Sequence, residues 1–321
     1  MHTLSMDVDN PNEFVASPSL KVDHVHLKVS NIEESIGFYE SILGLNVLEA
    51  QSSGNTAYLG PESTGEKLSA LLILDQIDQD RGITDLSRER MEAGLYHFAI
   101  LLPERKYLAS FLQHFQKNTD PQFYDGMADH AVSESIYLHD PDYHGIEVYR
   151  DRKPSEWQWT GENKIYMVTE PLDVNNLLKQ YGNEKWDGFP VRTTIGHVHL
   201  HVSNLTKTKK FYQQSLGLYH TASYPGAYFF AADKYHHHVA TNTWLGTNIL
   251  RNSANDHRKS GLEHFAISID GDKGDLKKLK DHYELNGITI DEDTDDSDKQ
   301  HESSFYTYDP DGIKIQILLK E

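Results

Sequence analysis

Four short stretches carry the side chains able to do chemistry. HVHLHV (197–202) places His197, His199 and His201 at alternate positions. A strand there sends the three imidazoles to one face and Val198, Leu200 and Val202 to the other. GIEVY (145–149) sets Glu147 between Ile146 and Val148, opposite in direction to both. A carboxylate among apolar strand neighbours is costly to bury alone, and a metal cation is a fitting partner. GLYHFAILL (94–102) holds His97 in an apolar run, and YHHHVATNTW (235–244) holds His236, His237 and His238 at the head of a β-branched one. That triplet is internal and so is no terminal tag. With 19 histidines and no cysteine, imidazole and carboxylate are the available donors; disulfides, thiolate catalysis and Cys-ligated zinc are excluded.

The elements that must position these groups form an internal repeat. VDHVHLKVSNIEESIGFYESILGLNVL (22–48) matches IGHVHLHVSNLTKTKKFYQQSLGLYHT (195–221) in register. His24 to Phe38 and His197 to Phe211 are both 14 residues apart, and the same step to Gly44 and Gly217 is 20 in each copy. Each copy opens on strict apolar alternation, the mark of a half-buried strand. Ser-Asn then caps a helix with apolar residues at helical intervals, and the glycine sits where a C-cap is expected. A looser pair follows the same plan: GLYHFAILL precedes a helix and SESIYLHDPDYHGIEVY, and GLEHFAISI (261–269) precedes a helix and SSFYTYDPDGIKIQILL. Asp140 and Asp309 of the two DPD runs read as turn residues.

Four strand–helix–strands modules are therefore expected, at 22–76, 94–150, 195–245 and 261–320. They divide into an N-terminal domain (20–150) and a C-terminal domain (194–321). A flexible stretch (1–19) precedes them, and a connection (151–193) with one short helix at PLDVNNLLKQYG joins them. The acidic run DEDTDDSD (291–298) reads as a solvated loop.

Composition narrows the partners. A net charge of −19 without a basic cluster argues against nucleic acid. No apolar run approaches the length needed to span a bilayer. The N-terminal residues lack the basic start and apolar core of a signal peptide, so a cytoplasmic location is expected. A homo-oligomer is left open.

Four βαβββ modules, each opening on a histidine-bearing strand and two of them closing after a DPD turn, resemble the vicinal oxygen chelate superfamily. That superfamily includes glyoxalase I and the extradiol catechol dioxygenases, and the resemblance spans residues 20–320. It implies an α+β fold, with modules paired into two half-open β-barrels and helices outside. It places metal ligands on the first and last strands of two facing modules. The first-strand positions are His24, His97, His197 and His264; the last-strand positions are Glu147 and Gln316. The resemblance also implies an acid–base histidine in an H-x-apolar-Ala pattern, which His237 fits. A supporting tyrosine is implied ten residues before the carboxylate, which Tyr137 fits. These carry-overs favour facing modules two and three, with His97, Glu147 and His197 on the metal and His130 near the substrate. The rival is modules three and four, with His197, His264 and Gln316.

Two imidazoles and a carboxylate on one face suit non-heme Fe(II), with Mn(II) as the alternative, and leave positions for substrate and O2. The implied activity is extradiol cleavage of a catechol-type aromatic diol. Glyoxalase-type isomerase or lyase chemistry and metal-free binding of a small molecule are the alternatives, since fold does not fix function.

Overall fold

The computed structural model describes residues 14–50, 55–61, 70–77, 91–252, 259–292 and 304–320. The first module runs β1 (Lys21–Val29), α1 (Ile32–Phe38), β2 (Asn46–Ala50), β3 (Thr56–Gly60) and β4 (Leu72–Gln76). The second runs β5 (Gly94–Leu102), α2 (Arg105–Asn118), β6 (Tyr124–Asp129), β7 (Ser133–His139) and β8 (Gly145–Asp151). The connection contributes β9 (Trp159–Gly161), β10 (Lys164–Ile165) and α3 (Val174–Tyr181). The third module runs β11 (Thr194–His201), α4 (Leu205–Lys210), β12 (Tyr219–Tyr224), β13 (Ala227–Ala231) and β14 (Val239–Asn242). The fourth runs β15 (Gly261–Asp270), α5 (Lys273–Leu285), β16 (Ile290–Glu292), β17 (Ser304–Tyr308) and β18 (Lys314–Lys320).

Local chemistry explains these starts and stops. The Asn31 side chain accepts from the backbone of Glu33 and Glu34, and Asn204 accepts from that of Lys207. Each cap satisfies amides that the first helical turn leaves without a partner. Both helices then widen into a π-helical turn, at Tyr39–Leu43 and Phe211–Ser215, which the apolar spacing does not announce. Gly44 (φ 79°) and Gly217 (φ 72°) end these turns in left-handed backbone. Along α2, Leu108, Phe111, Leu112 and Phe115 are buried, the spacing of one helix face. The short helix foreseen in the connection is α3, capped by Asp173.

Two eight-stranded sheets form the frame. One has the order β12-β13-β14-β11-β5-β8-β7-β6 and joins modules two and three through the antiparallel pair β5–β11. The other has the order β16-β17-β18-β15-β1-β4-β3-β2 and joins modules one and four through β1–β15. Each half-barrel thus takes one module from each half of the chain. The apolar residues of the opening strands are buried, with Leu27, Phe98, Val198, Leu200 and Phe265 fully so. Full burial of such a side chain stabilises by about 1.5–3 kcal/mol.

Residues 1–13 of the expected flexible stretch lie outside the described residues. Within 14–19, Ala16 is buried and donates its N–H to the Gly217 carbonyl, while Val15 is exposed. Asp291 and Glu292 belong to β16, and the rest of the acidic run lies outside the described residues. Among the described residues no helix is long and apolar enough to cross a membrane.

Candidate metal centre

Adjacent central strands bring the first two donors together. His97 stands on β5 and His197 on β11, and Glu147 stands on β8 next to β5. Register fixes the approach: Ala99 of β5 pairs with His197 on one side and Glu147 on the other. The two imidazoles converge on one carboxylate oxygen. His97 Nε2 lies 3.1 Å and His197 Nε2 3.0 Å from Glu147 Oε2. Ser135 Oγ donates to the other oxygen, Oε1, at 2.5 Å. One donor atom from each of the three lies within 4.8 Å of the others, and all three residues are buried.

The electrostatics favour a cation here. Burial pushes the Glu147 carboxyl up, but the neighbouring His197 and His97 outweigh it and hold it well below the usual range. His197 itself is driven down to about 4 by burial, against the pull of Glu147. Near neutral pH the carboxylate therefore keeps its charge while the His197 ring is neutral. A buried anion with neutral imidazole beside it is the donor set that a divalent ion completes.

His237 stands beside this trio, its ring centroid 4.1 Å from that of His197. Its Nδ1 is 2.8 Å from His236 Nδ1, and His236 Nε2 is 2.8 Å from Asp151 Oδ1. Because the carboxylate can only accept, a neutral His236 carries its proton on Nε2 and accepts at Nδ1 from His237. That leaves the His237 Nε2 lone pair for the cavity. Burial and the surrounding histidines hold His237 well below its ordinary pKa. The Tyr235 hydroxyl also donates to Asp151, and Tyr149 meets Tyr235 at 2.9 Å, so the carboxylate is fixed from two sides.

Tyr137 lies on β7 directly opposite Glu147. Its hydroxyl is 2.7 Å from His130 Nε2, and His130 Nδ1 is 2.7 Å from the Val168 carbonyl. The carbonyl fixes the proton on Nδ1, so in the neutral ring Nε2 accepts from the tyrosine. Burial and the Glu147 charge push the Tyr137 phenol well above 10, keeping it neutral. All six residues, His97, His130, Tyr137, Glu147, His197 and His237, line one cavity of about 1050 Å3.

His199 and His201 line the same cavity, held by Asn242. Trp244 sits at its rim, 47% exposed. The rival ligands are elsewhere: His264 on β15 and Gln316 on β18 belong to the other sheet, with His24 on β1. His197 is not brought to them.

Two features escape a strand-based reading. The histidine triplet precedes β14, so strand alternation does not govern where His236 and His238 point. His236 is fully buried behind His237, and His238 accepts from the Ala232 N–H. The connection also walls the cavity with residues 165–169, and nothing in its composition signals that role.

Known proteins bear on the same geometry. The sequence profile of the Glyoxalase/Bleomycin resistance protein/Dioxygenase superfamily matches residues 21–148 and 194–317. A catechol-2,3-dioxygenase of Bacillus subtilis (strain 168) is 37% identical over 250 residues, covering 77% of this chain and 82% of its own. A candidate dioxygenase of Bacillus subtilis subsp. subtilis str. 168 superposes with a TM-score of 0.60 at 14% identity, over 95% of this chain and 86% of that one. Glyoxalase I of Zea mays superposes at 0.53 and 16% identity, over 94% and 92%. These two structures speak for the fold alone. With its sequence profile and a relative matched over 82% of that relative's length in agreement, the chain belongs to the Glyoxalase/Bleomycin resistance protein/Dioxygenase superfamily.

Proposed function

We propose that the protein is an extradiol dioxygenase that opens a catechol-type aromatic ring with O2. The observation that carries this reading is the convergence of His97 Nε2 and His197 Nε2 on Glu147, with His237 beside them. Its likeness to a catechol-2,3-dioxygenase supports the substrate class. His97, His197 and Glu147 would hold Fe(II), or Mn(II) in its place. When bound, the ion supplies open coordination positions for the diol and O2 and lowers the phenol pKa.

The chain's own residues do the rest. His237 accepts a catechol proton at Nε2 and returns one as the ring opens, its tautomer set by His236 and Asp151. The Tyr137 hydroxyl, kept neutral beside Glu147, turns its one proton from His130 Nε2 to oxygen charge that develops on the bound diol. Tyr96, Phe229 and Trp244 give the aromatic ring apolar walls, and the connection shields it from water on one side.

Glyoxalase-type chemistry is the competing reading, because glyoxalase I shares the fold. It fits the donor set less well: among the described residues the group of His and acidic side chains gathered closely enough to hold an ion, His97, Glu147 and His197, contains a single carboxylate. Anaerobic loading of the metal-free protein with Fe(II), followed by catechol and O2, tests the choice. Oxygen uptake with a yellow ring-opened product, dependent on the metal, is expected. Turnover of a hemithioacetal with Zn(II) or Ni(II), and none of catechol, would overturn it.

A further inference from the structure

The cavity around the candidate metal centre is larger than one catechol ring requires. At about 1050 Å3 it stands at the upper end of the roughly 300–1,000 Å3 that enclose a drug-sized ligand. One side of it is a continuous run of rings. His237 meets Phe229 at 5.1 Å between centroids, Phe229 meets His199 at 5.9 Å, and His199 meets Trp244 at 5.3 Å. Tyr96 completes the run, 5.0 Å from His199 and 5.4 Å from Trp244, nearly perpendicular to both. The run begins beside the buried His237 and ends in solvent, where Tyr96 is 40% exposed and Trp244 47%.

The polar atoms of this wall are engaged within it. Asn242 donates to His199 Nε2 at 3.1 Å and accepts from His201 Nδ1 at 2.8 Å, and Trp244 Nε1 donates to the Pro225 carbonyl at 3.0 Å. What the wall offers a ligand is chiefly ring surface. Fixed charge around the cavity is negative. Besides Glu147, it is lined by Asp125, whose carboxylate lies 2.9 Å from His139 Nδ1, and by Asp142, which accepts the Ser30 N–H. Glu92 lines it too, paired with Lys259 at 3.3 Å. No lysine or arginine is among the described residues that line it. Burial drives His201 down to about 4, so that ring is uncharged near neutral pH.

Resting on the reading of the protein as a catechol dioxygenase, we propose that its substrate is a catechol carrying an extended, uncharged apolar substituent. The diol end belongs at His97, Glu147 and His197, and the substituent follows Phe229 outward to Tyr96 and Trp244. Burying such a substituent against rings is favourable in proportion to the apolar area removed from water. A carboxylate in the same place would lose its water without gaining a cationic partner, and would meet Asp125 and Asp142 as like charges. Trp244 and Asp125 are therefore the specificity-determining residues, one by contact and the other by exclusion.

Steady-state assays of the Fe(II)-loaded protein test this on four diols: catechol, 4-phenylcatechol, 3,4-dihydroxyphenylacetate and the methyl ester of that acid, which removes its charge. Expected kcat/KM is about 10- to 100-fold higher for 4-phenylcatechol than for catechol, and on the order of 100-fold higher for the ester than for the acid. Trp244→Ala should narrow the first gap about 10-fold, and Asp125→Lys the second by a similar factor. A phenyl group that brings no gain, or an acid turned over as well as its ester, overturns the assignment. So do gaps that neither variant narrows. Calorimetric titration of the metal-free protein with 4-phenylcatechol and with the acid reads the same preference without turnover. That preference with no ring cleavage of any diol would defeat the dioxygenase reading and leave the ligand class standing. Cleavage of all four at like rates would do the reverse.

Discussion

The two half-barrels share a frame and differ at a handful of positions. In one, Glu147, His237 and an open cavity come together; in the other the same registers hold Gln316, Ala70 and Lys314. Lys314 occupies the place of Gly145, and its ammonium lies 4.2 Å over the Tyr306 ring. A Cβ at Gly145 would lie 2.1 Å from the Tyr96 carbonyl oxygen, so only glycine lets β8 approach β5 there. The strands and histidine registers are thus common property, while Glu147 and His237 distinguish the half with the candidate chemistry.

The largest effect expected from breaking that contrast is Glu147→Gln, which gives the first half-barrel the residue of the second. Removing one partner of a buried, hydrogen-bonded charge costs about 3–5 kcal/mol. Iron affinity should fall roughly 10²–10³-fold, read as metal content after dialysis, with oxygen uptake lost alongside. His237→Ala should separate binding from chemistry: full metal content, with kcat lower by about 10²–10⁴-fold. Retained turnover in single-mutant assays would remove His237 from the mechanism. Tyr137→Phe deletes only the hydroxyl shared with His130, and a loss of about 10- to 100-fold is expected at unchanged metal content.

Smaller effects sharpen the comparison through stability. Gly145→Ala should cost about 1–3 kcal/mol, as overpacking does, seen as a lower Tm. The paired DPD turns give the smallest effect. Asp140 receives the Tyr39 hydroxyl and His144 Nδ1, both at 2.8 Å, whereas Asp309 Oδ2 and the equivalent Tyr212 hydroxyl have no partner. Burial pushes Asp309 up from 3.8 to about 7. A carboxyl raised in the folded state favours folding while protonated. Its contribution is full below about pH 4 and is lost as pH rises through 7. Asp309→Asn should therefore flatten Tm against pH between 4 and 7, whereas Asp140→Asn should simply lower Tm.

Much of this was legible in the chain, for identifiable reasons. The HVHLHV alternation and the match of 22–48 to 195–221 are period-2 and repeat signals, which survive any tertiary context. The caps at Asn31 and Asn204 are local chemistry and read directly. Which modules face each other is a long-range choice, and His237 pointed to the pair joined through β5 and β11. The Asp151–His236–His237 chain was not legible, since it depends on the triplet lying outside a strand and on a carboxylate more than eighty positions away. The cavity wall at 165–169 was equally hidden, being set by where the connection crosses rather than by its residues.

The crossed pairing of modules bears on how the chain matures. Strand β5 is made early, yet its central neighbour β11 emerges from the ribosome only after the whole connection, and β1 waits longer still for β15. Neither half of the polypeptide can close a sheet alone, and each leaves an uncovered strand edge until the other arrives. Slow, non-local closure of this kind exposes the nascent protein to aggregation and to swapping of modules between two copies.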